Sequence, residues 1–123
     1  MLPFMRVCLH CSEPLRPVRL ECPGCGLAYE GPMRAARLSR LSADSAALAE
    51  RLILAGGNLT ALAGEIGVSH PTVRKRVDGL IAELTALQDH DKAEAARILE
   101  DVEQGRARPE EAARLIGEMN GTL

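Results

Sequence analysis

Four cysteines form two matched pairs near the start of the chain. Cys8 and Cys11 are separated by two residues, as are Cys22 and Cys25, and ten residues lie between the pairs. Two C-x-x-C turns can bring four thiolates around one ion in the tetrahedral arrangement that structural zinc sites use. Because four thiolates leave no coordination position for water, we expect a structural Zn²⁺ and not a catalytic one.

Two alternatives to zinc are open at this point. Iron accepts the same four-sulfur geometry, and the cysteines can instead form two disulfides. The first six residues show no basic region followed by a long apolar run, which argues against a secretory signal. We therefore predict a cytoplasmic protein, in which the thiols stay reduced. His10, between the first two cysteines, is interpreted as a surface residue.

A second feature that could bind a ligand is the basic run Arg74-Lys75-Arg76, on a predicted helix that begins after Ser69. The apolar residues of this helix recur at helical spacing and form one stripe, with Lys75 pointing away from it. The outward side can meet phosphates and base edges of duplex DNA. The residues predicted to contact DNA are Ser69, His70, Thr72, Arg74, Lys75 and Arg76.

The elements before this helix predict a helix-turn-helix. Ser42 caps a first helix that ends at Gly56-Gly57, Asn58 caps a second helix ending at Ile66, and Gly67 allows a tight turn before the third helix, 69–84. In this arrangement the third helix is the recognition helix, whose N-terminal residues enter the major groove.

The fold class predicted is mainly α with a small β zinc ribbon. Short strands flank the second cysteine pair. The three arginines of residues 33–41 recur every three positions, which is typical of a short basic helix or of a solvated linker.

Two helices, 91–104 and one from Pro109, predict a C-terminal helical hairpin that packs on the middle domain or on a second copy of the chain. The domains predicted are a zinc ribbon (1–32), a linker or short basic helix (33–41), a helix-turn-helix domain (42–89) and a hairpin with a possible oligomerisation role (90–123).

Composition argues against an enzyme and against a membrane protein. Aromatic residues make up 2% of the chain, and no phosphate-cradling glycine motif occurs. The three histidines, His10, His70 and His90, fall in different segments without nucleophilic partners. No run of eighteen apolar residues is present, so we expect no membrane insertion. The net charge of −2 divides into +3 for residues 1–41, −2 for 42–90 and −3 for 91–123, so a local basic surface remains compatible with an acidic whole.

Several motifs resemble the bacterial domain of unknown function family 2089, whose members pair an N-terminal zinc ribbon with a sigma-region-4-like helix-turn-helix. The motifs that carry the resemblance are Cys8-x-x-Cys11, Cys22-Pro23-x-Cys25-Gly26, Leu38-Ser39-Arg40-Leu41, Gly57-Asn58-Leu59 and the stretch Glu65-Ile66-Gly67-Val68-Ser69-His70-Pro71-Thr72-Val73-Arg74. The resemblance covers residues 8 to about 84 and implies transcription-related DNA binding. Residues 98–116 also resemble a short bacterial C-terminal helical hairpin, although Arg108 stands where that hairpin usually has serine or threonine.

Two functions follow as hypotheses. The first is a small transcriptional regulator that binds double-stranded DNA, as a homo-oligomer such as a dimer, because one recognition helix with three basic residues binds weakly alone. The second is an interaction module that contacts RNA polymerase, a sigma factor or a membrane-associated partner without sequence-specific DNA binding. The acidic C-terminal segment and the negative total charge favour the second.

Overall fold

The protein is mainly helical and carries one small antiparallel sheet. A computed structural model describes residues 5–120. In chain order the elements are β1 (Arg19–Glu21), β2 (Ala28–Glu30), a short 3-10 helix (Arg37–Arg40), α1 (Ala43–Leu54), α2 (Leu59–Ile66), α3 (His70–Glu103) and α4 (Pro109–Asn120).

The sheet consists of β1 and β2, which pair antiparallel with Leu20 opposite Tyr29. The two strands flank the second cysteine pair, as the sequence predicts. Each strand has three residues, because the cysteine turn begins directly after Glu21. A single antiparallel bridge between Val7 and Pro14 flanks the first pair in a similar way.

The first three helices share one apolar core. Its buried members are Leu62 and Ala63 of α2 and Val73 and Val77 of α3, against which side chains of α1 pack, including Leu48. Ala63 is only 6% exposed, because a small side chain lets α2 and α3 approach each other closely. The α3 members of this core, Val73 and Val77, belong to the apolar stripe that helical spacing predicts for this helix.

The helix boundaries follow the caps read from the sequence. The side chains of Ser42, Asn58 and Ser69 each accept a hydrogen bond from a backbone N–H of the helix that follows. The turn between α2 and α3 is possible because Gly67 takes φ 80°, a left-handed conformation that costs glycine little.

The prediction of separate helices at 69–84 and 91–104 is wrong. α3 is one helix of 34 residues, and it crosses the domain boundary placed at 89/90. The physical reason is that neither glycine nor proline occurs between Leu80 and Gln104, so nothing in this segment interrupts the helix. α3 ends before Gly105, whose φ of 75° closes the turn towards α4. The C-terminal hairpin therefore consists of the second half of α3 and α4.

The basic segment before α1 is not a solvated linker. Its 3-10 helix lies against α3, where Asp91 is only 3% exposed. Arg37 Nε donates to Asp91 Oδ2 at 2.9 Å, and Arg40 Nη1 lies 2.8 Å from Oδ1. Arg34 adds a hydrogen bond to Glu94, and Arg37 Nη2 donates to the Met119 carbonyl at the end of α4. One arginine-rich turn thus joins the N-terminal segment to both helices of the hairpin.

Burial acts to raise the pKa of Asp91, because a carboxylate is poorly solvated inside the protein. Hydrogen bonds from Arg40 and Arg37, together with the charges of both guanidinium groups, outweigh burial and hold the pKa of Asp91 below its ordinary range. The carboxylate is therefore ionised in the folded protein, and it neutralises part of the arginine charge around it.

A second carboxylate fastens the start of α1 to the middle of α3. Glu83 accepts hydrogen bonds from the backbone N–H of Ser42 at 2.5 Å, from the Ser42 hydroxyl and from the Ser45 hydroxyl. The hydrogen bond from Ser45, followed by that from the Ser42 backbone, lowers the pKa of Glu83. α1 therefore has two caps, Ser42 from its own sequence and Glu83 from another helix.

Within residues 5–120, none of the helices combines the length and the hydrophobicity that crossing a membrane requires.

Candidate nucleic-acid interface and metal centre

The first two turns of α3 bring the predicted DNA-contacting residues to the protein surface. The helix is held from below by Val73 and Val77, which face the core shared with α2. All six residues, Ser69, His70, Thr72, Arg74, Lys75 and Arg76, are exposed. The apolar stripe thus fixes the helix and leaves its opposite side open to solvent.

The cap of α3 uses two of these six residues. Thr72 N–H donates to Ser69 Oγ at 3.3 Å, and the two hydroxyl oxygens lie 2.8 Å apart. These hydroxyls therefore hold the start of the helix as well as facing solvent. The first turn of α3 contains no acidic side chain, so nothing there opposes the partial positive charge that a helix N-terminus presents to an anion.

The basic run has little acidic compensation around it. Arg74 Nε lies 3.2 Å from Asp78 one turn later, and both side chains are more than half exposed. An exposed pair of this kind contributes little stability and is easily exchanged for another partner. In the described part of the chain, no ion pair involves Lys75 or Arg76.

One further basic residue was missed by the sequence reasoning. Arg51 of α1 is exposed and lines, with Arg76, an open groove of about 620 Å³ between α1, α2 and α3. Asp44 lies at the same groove, and its floor is apolar, with Leu48 and Leu80 among the lining side chains. The available signal was the position of Arg51 in the last turn of α1, the end of the helix that leads into α2.

The metal-ligand candidates lie in two turns of the same shape. In the first turn, Cys8 N–H donates to the carbonyl of Glu13 at 2.8 Å, and Ser12 N–H donates back to the Cys8 carbonyl at 2.9 Å. Ser12 takes φ 63°, a conformation uncommon for residues other than glycine.

The second turn repeats this pattern fourteen positions later. Cys22 N–H donates to the carbonyl of Leu27 at 2.8 Å, and Gly26 N–H donates back to the Cys22 carbonyl at 2.8 Å. Gly26, the counterpart of Ser12, has φ 75°. Two unrelated loops would have no reason to share both hydrogen bonds and the left-handed residue, so the two turns are equivalent structures.

Backbone N–H groups point at the sulfur atom of the first cysteine in each turn. The backbone hydrogen bond from the second cysteine of the pair is the main cause that lowers the pKa of Cys8, followed by the backbone of His10, whose nitrogen lies 3.4 Å from the sulfur. The pKa of Cys22 is lowered in the same way, next after its pair partner by the backbone of Gly24. Such groups stabilise a thiolate, the form that binds metal.

The structure brings cysteines together within each pair, where the side chain of the second cysteine also acts to lower the pKa of the first. All four cysteines are free, and three of them are exposed. Their thiols are the donor set that a tetrahedral zinc ion takes.

Across residues 5–120, the potential metal ligands whose donor atoms lie within 4.8 Å of one another are His90, Asp91 and Glu94. The four cysteines do not form such a group. The two carboxylates beside His90 are already engaged by Arg34, Arg37 and Arg40. These guanidinium groups occupy the position of a cation, so we assign the group to the arginine cluster and not to a metal.

A comparison with known families found a match in the unit formed by α1, α2 and the first half of α3. Residues 41–87 match the family model described as "Domain of unknown function (DUF2089)-HTH". This segment, which is less than half of the chain, is similar to that family. The match contains α1, α2 and the first half of α3, including every residue of the basic run. It does not extend over the cysteine turns or α4. No curated protein and no solved structure matches the chain.

Proposed function

We propose that this DUF2089-type protein binds double-stranded DNA through the N-terminal half of α3 and regulates transcription. The observation that carries the proposal is the exposed basic run, mounted on a helix whose opposite side is fixed in the core. Arg74, Lys75 and Arg76 supply three positive charges for phosphates or guanine edges, and Arg51 adds a fourth beside them.

The remaining predicted contacts have different roles in this proposal. His70, the first residue of α3, and Thr72 face base edges from the helix start. Ser69 and the backbone of the first turn approach a phosphate, since the amino end of a helix attracts anions. Base contacts set the sequence preference, while the arginines and the lysine supply most of the affinity.

The two cysteine turns would hold one structural Zn²⁺ through Cys8, Cys11, Cys22 and Cys25. Support comes from the equivalence of the turns and from the backbone N–H groups that stabilise the thiolates. The described N-terminal strands have three residues each, and so small a sheet buries little apolar surface. A metal ion would supply the free energy that ordered turns require. The four-thiolate set gives the ion no role in catalysis.

The proposal is tested by binding of the full chain to fluorescent duplex DNA at increasing salt concentration. Three phosphate contacts per chain predict a slope of about −2.7 in a plot of log affinity against log salt, because each contact releases a condensed counterion. A binding constant that does not change with salt would exclude phosphate recognition by α3.

The alternative, a module that contacts the transcription machinery through protein surfaces, is favoured by the acidic side chains of α4 and the apolar exposed surface near the cysteines. It predicts that a protein partner is retained after charge reversal at Arg74 and Arg76, whereas DNA binding would be lost. A pull-down with RNA polymerase or a sigma factor, using the wild type and this double variant, separates the two functions.

A further inference from the structure

One face of the β1–β2 hairpin is apolar and lacks a covering layer. Side chains alternate between the faces of a strand, so Leu20 and its cross-strand partner Tyr29 share a face with Val18 and Leu27. These four side chains are 52 to 62% exposed. Residues of these types lose the most free energy when they face water.

The other face of the hairpin is polar and suited to water. Arg19 forms ion pairs there with Glu21 and with Glu30 on the neighbouring strand. The hairpin is therefore amphipathic, as a strand pair is when one of its faces packs against a second layer. Residues 5–120 of the chain do not provide that layer.

Further large apolar residues are exposed in the part of the chain before the hairpin. Of the thirteen large apolar residues exposed in the described chain, eight fall between Met5 and Tyr29. Leu9, at 88%, is the most exposed of them. The four side chains on the hairpin face together present on the order of a few hundred square ångströms, the size at which an exposed patch marks a binding surface.

We infer that a second copy of this chain covers the hairpin, with the two β1–β2 faces packed against each other about a two-fold axis. Charge distinguishes this occupant from nucleic acid. Residues 5–32 contain three arginines and three glutamates, so the segment has no net attraction for a polyanion. A two-fold interface requires a patch that complements itself. An apolar face with its ion pairs on the far side meets that requirement without placing like charges together.

The inference rests in part on the proposed function, because duplex recognition by helix-turn-helix proteins uses two recognition helices on two half-sites. Pairing through the N-terminal hairpins uses no residue of α3. The basic run itself is unsuited to self-association, since two copies of it would repel each other.

The test is the molecular mass of the zinc-loaded full chain in sedimentation equilibrium without DNA. We expect a dimer for the wild type and for L99D, which replaces a leucine of α3 that is 53% exposed. We expect L20D to raise the dimer dissociation constant roughly 30-fold or more, because it places a charge at the centre of an apolar contact. Zinc content and circular dichroism show whether L20D remains folded.

A monomeric wild type would overturn the inference, and so would a dimer that L20D does not weaken, whether or not L99D weakens it. If L20D loses zinc, hydrogen exchange of the wild type decides: protection of the β1 and β2 amides must rise with protein concentration, and concentration-independent exchange would overturn the inference. Because DNA is absent from these measurements, a dimer that fails to bind duplex DNA supports this interface while refuting the proposed function. A monomer that binds DNA does the reverse.

Discussion

Arg40 donates from one nitrogen, Nη1, to both carboxylate oxygens of Asp91, at 2.8 and 3.0 Å. The two residues are 51 positions apart in the chain, so the contact joins the 3-10 helix to a distant part of α3. Asp91 is nearly inaccessible, and Arg37 approaches the same carboxylate from the preceding turn of the 3-10 helix. The arrangement determines how the N-terminal segment is attached to α3.

Replacing Asp91 with asparagine leaves Arg37 and Arg40 partly buried without their counter-charge. We expect D91N to lower the free energy of unfolding by about 3 kcal/mol, the usual cost of removing one partner of a buried ion pair. Urea unfolding followed by circular dichroism measures the change. D89N is the matched control, since Asp89 lies on the same helix and is exposed. Equal stability of the two variants would show that the arginine cluster contributes no net stability.

Acid should weaken the same contact. The folded-state pKa of Asp91 is lowered, so its contribution to stability is complete above the unfolded-state pKa of about 3.9. It is lost as the pH falls through the folded-state pKa. We therefore expect the urea midpoint of the wild type to drop on acidification, with Glu83 contributing in the same direction. In D91N this drop should be smaller, and an identical pH profile in both proteins would contradict the assignment.

Glu83 of α3 caps the N-terminus of α1. We expect E83Q to destabilise the protein by about 1 kcal/mol, because an amide accepts less strongly from the Ser42 backbone and the Ser45 hydroxyl than a carboxylate does. The free energy of unfolding should be compared with that of E65Q, which changes an exposed glutamate of α2. If E65Q has the larger effect, the cap has been assigned to the wrong carboxylate.

The two lysines of the chain allow a charge-matched test of DNA binding. Lys75 lies on the proposed DNA-contacting side, whereas Lys92 lies 17 residues later on the same helix, about 25 Å away. We expect K75E to weaken duplex binding at least tenfold, since it removes one phosphate contact and adds a repulsive charge. K92E makes the same change in net charge at a distance and should have a much smaller effect. Fluorescence anisotropy at one fixed salt concentration compares them, and equal losses would indicate nonspecific attraction.

Removal of zinc should affect the N-terminal segment and spare the helices. We expect one zinc ion per chain by elemental analysis, and loss of that ion in C8S and in C22S, each of which breaks one turn. Chelation should leave the helical circular dichroism nearly unchanged, because the core around Leu62 and Val73 contains no residue of the cysteine turns. Full zinc retention in C22S would rule out the four-sulfur site.

The sequence was most informative where structure depends on neighbouring residues. Gly67 marked the turn, Ser42, Asn58 and Ser69 marked the helix starts, and apolar spacing identified the buried face of α3. Each of these signals acts over a few positions, through backbone conformation or helical periodicity. The family match over residues 41–87 agrees with the part of the resemblance whose motifs lie within that range, and it does not reach the cysteine motifs.

The arginine cluster and the Glu83 cap were not predicted, because both depend on contacts across more than 35 residues. Arg34, Arg37 and Arg40 were visible as a pattern, but their partner was not, since nothing around Asp91 distinguishes it from the other acids of α3. The predicted break between residues 84 and 91 does not occur, because no residue there ends a helix.

Because α3 is continuous, the direction in which Lys75 points is fixed relative to the direction in which Asp91 points. A helix of 34 residues extends about 51 Å, and each added residue rotates the side chains that follow by about 100° around the helix axis. One residue inserted after Gln88 would rotate Asp91 away from the arginines while leaving Lys75 in place. The number of residues between Val77 and Asp91 therefore fixes the angle, around the axis of α3, between the basic surface and the site where the arginines bind.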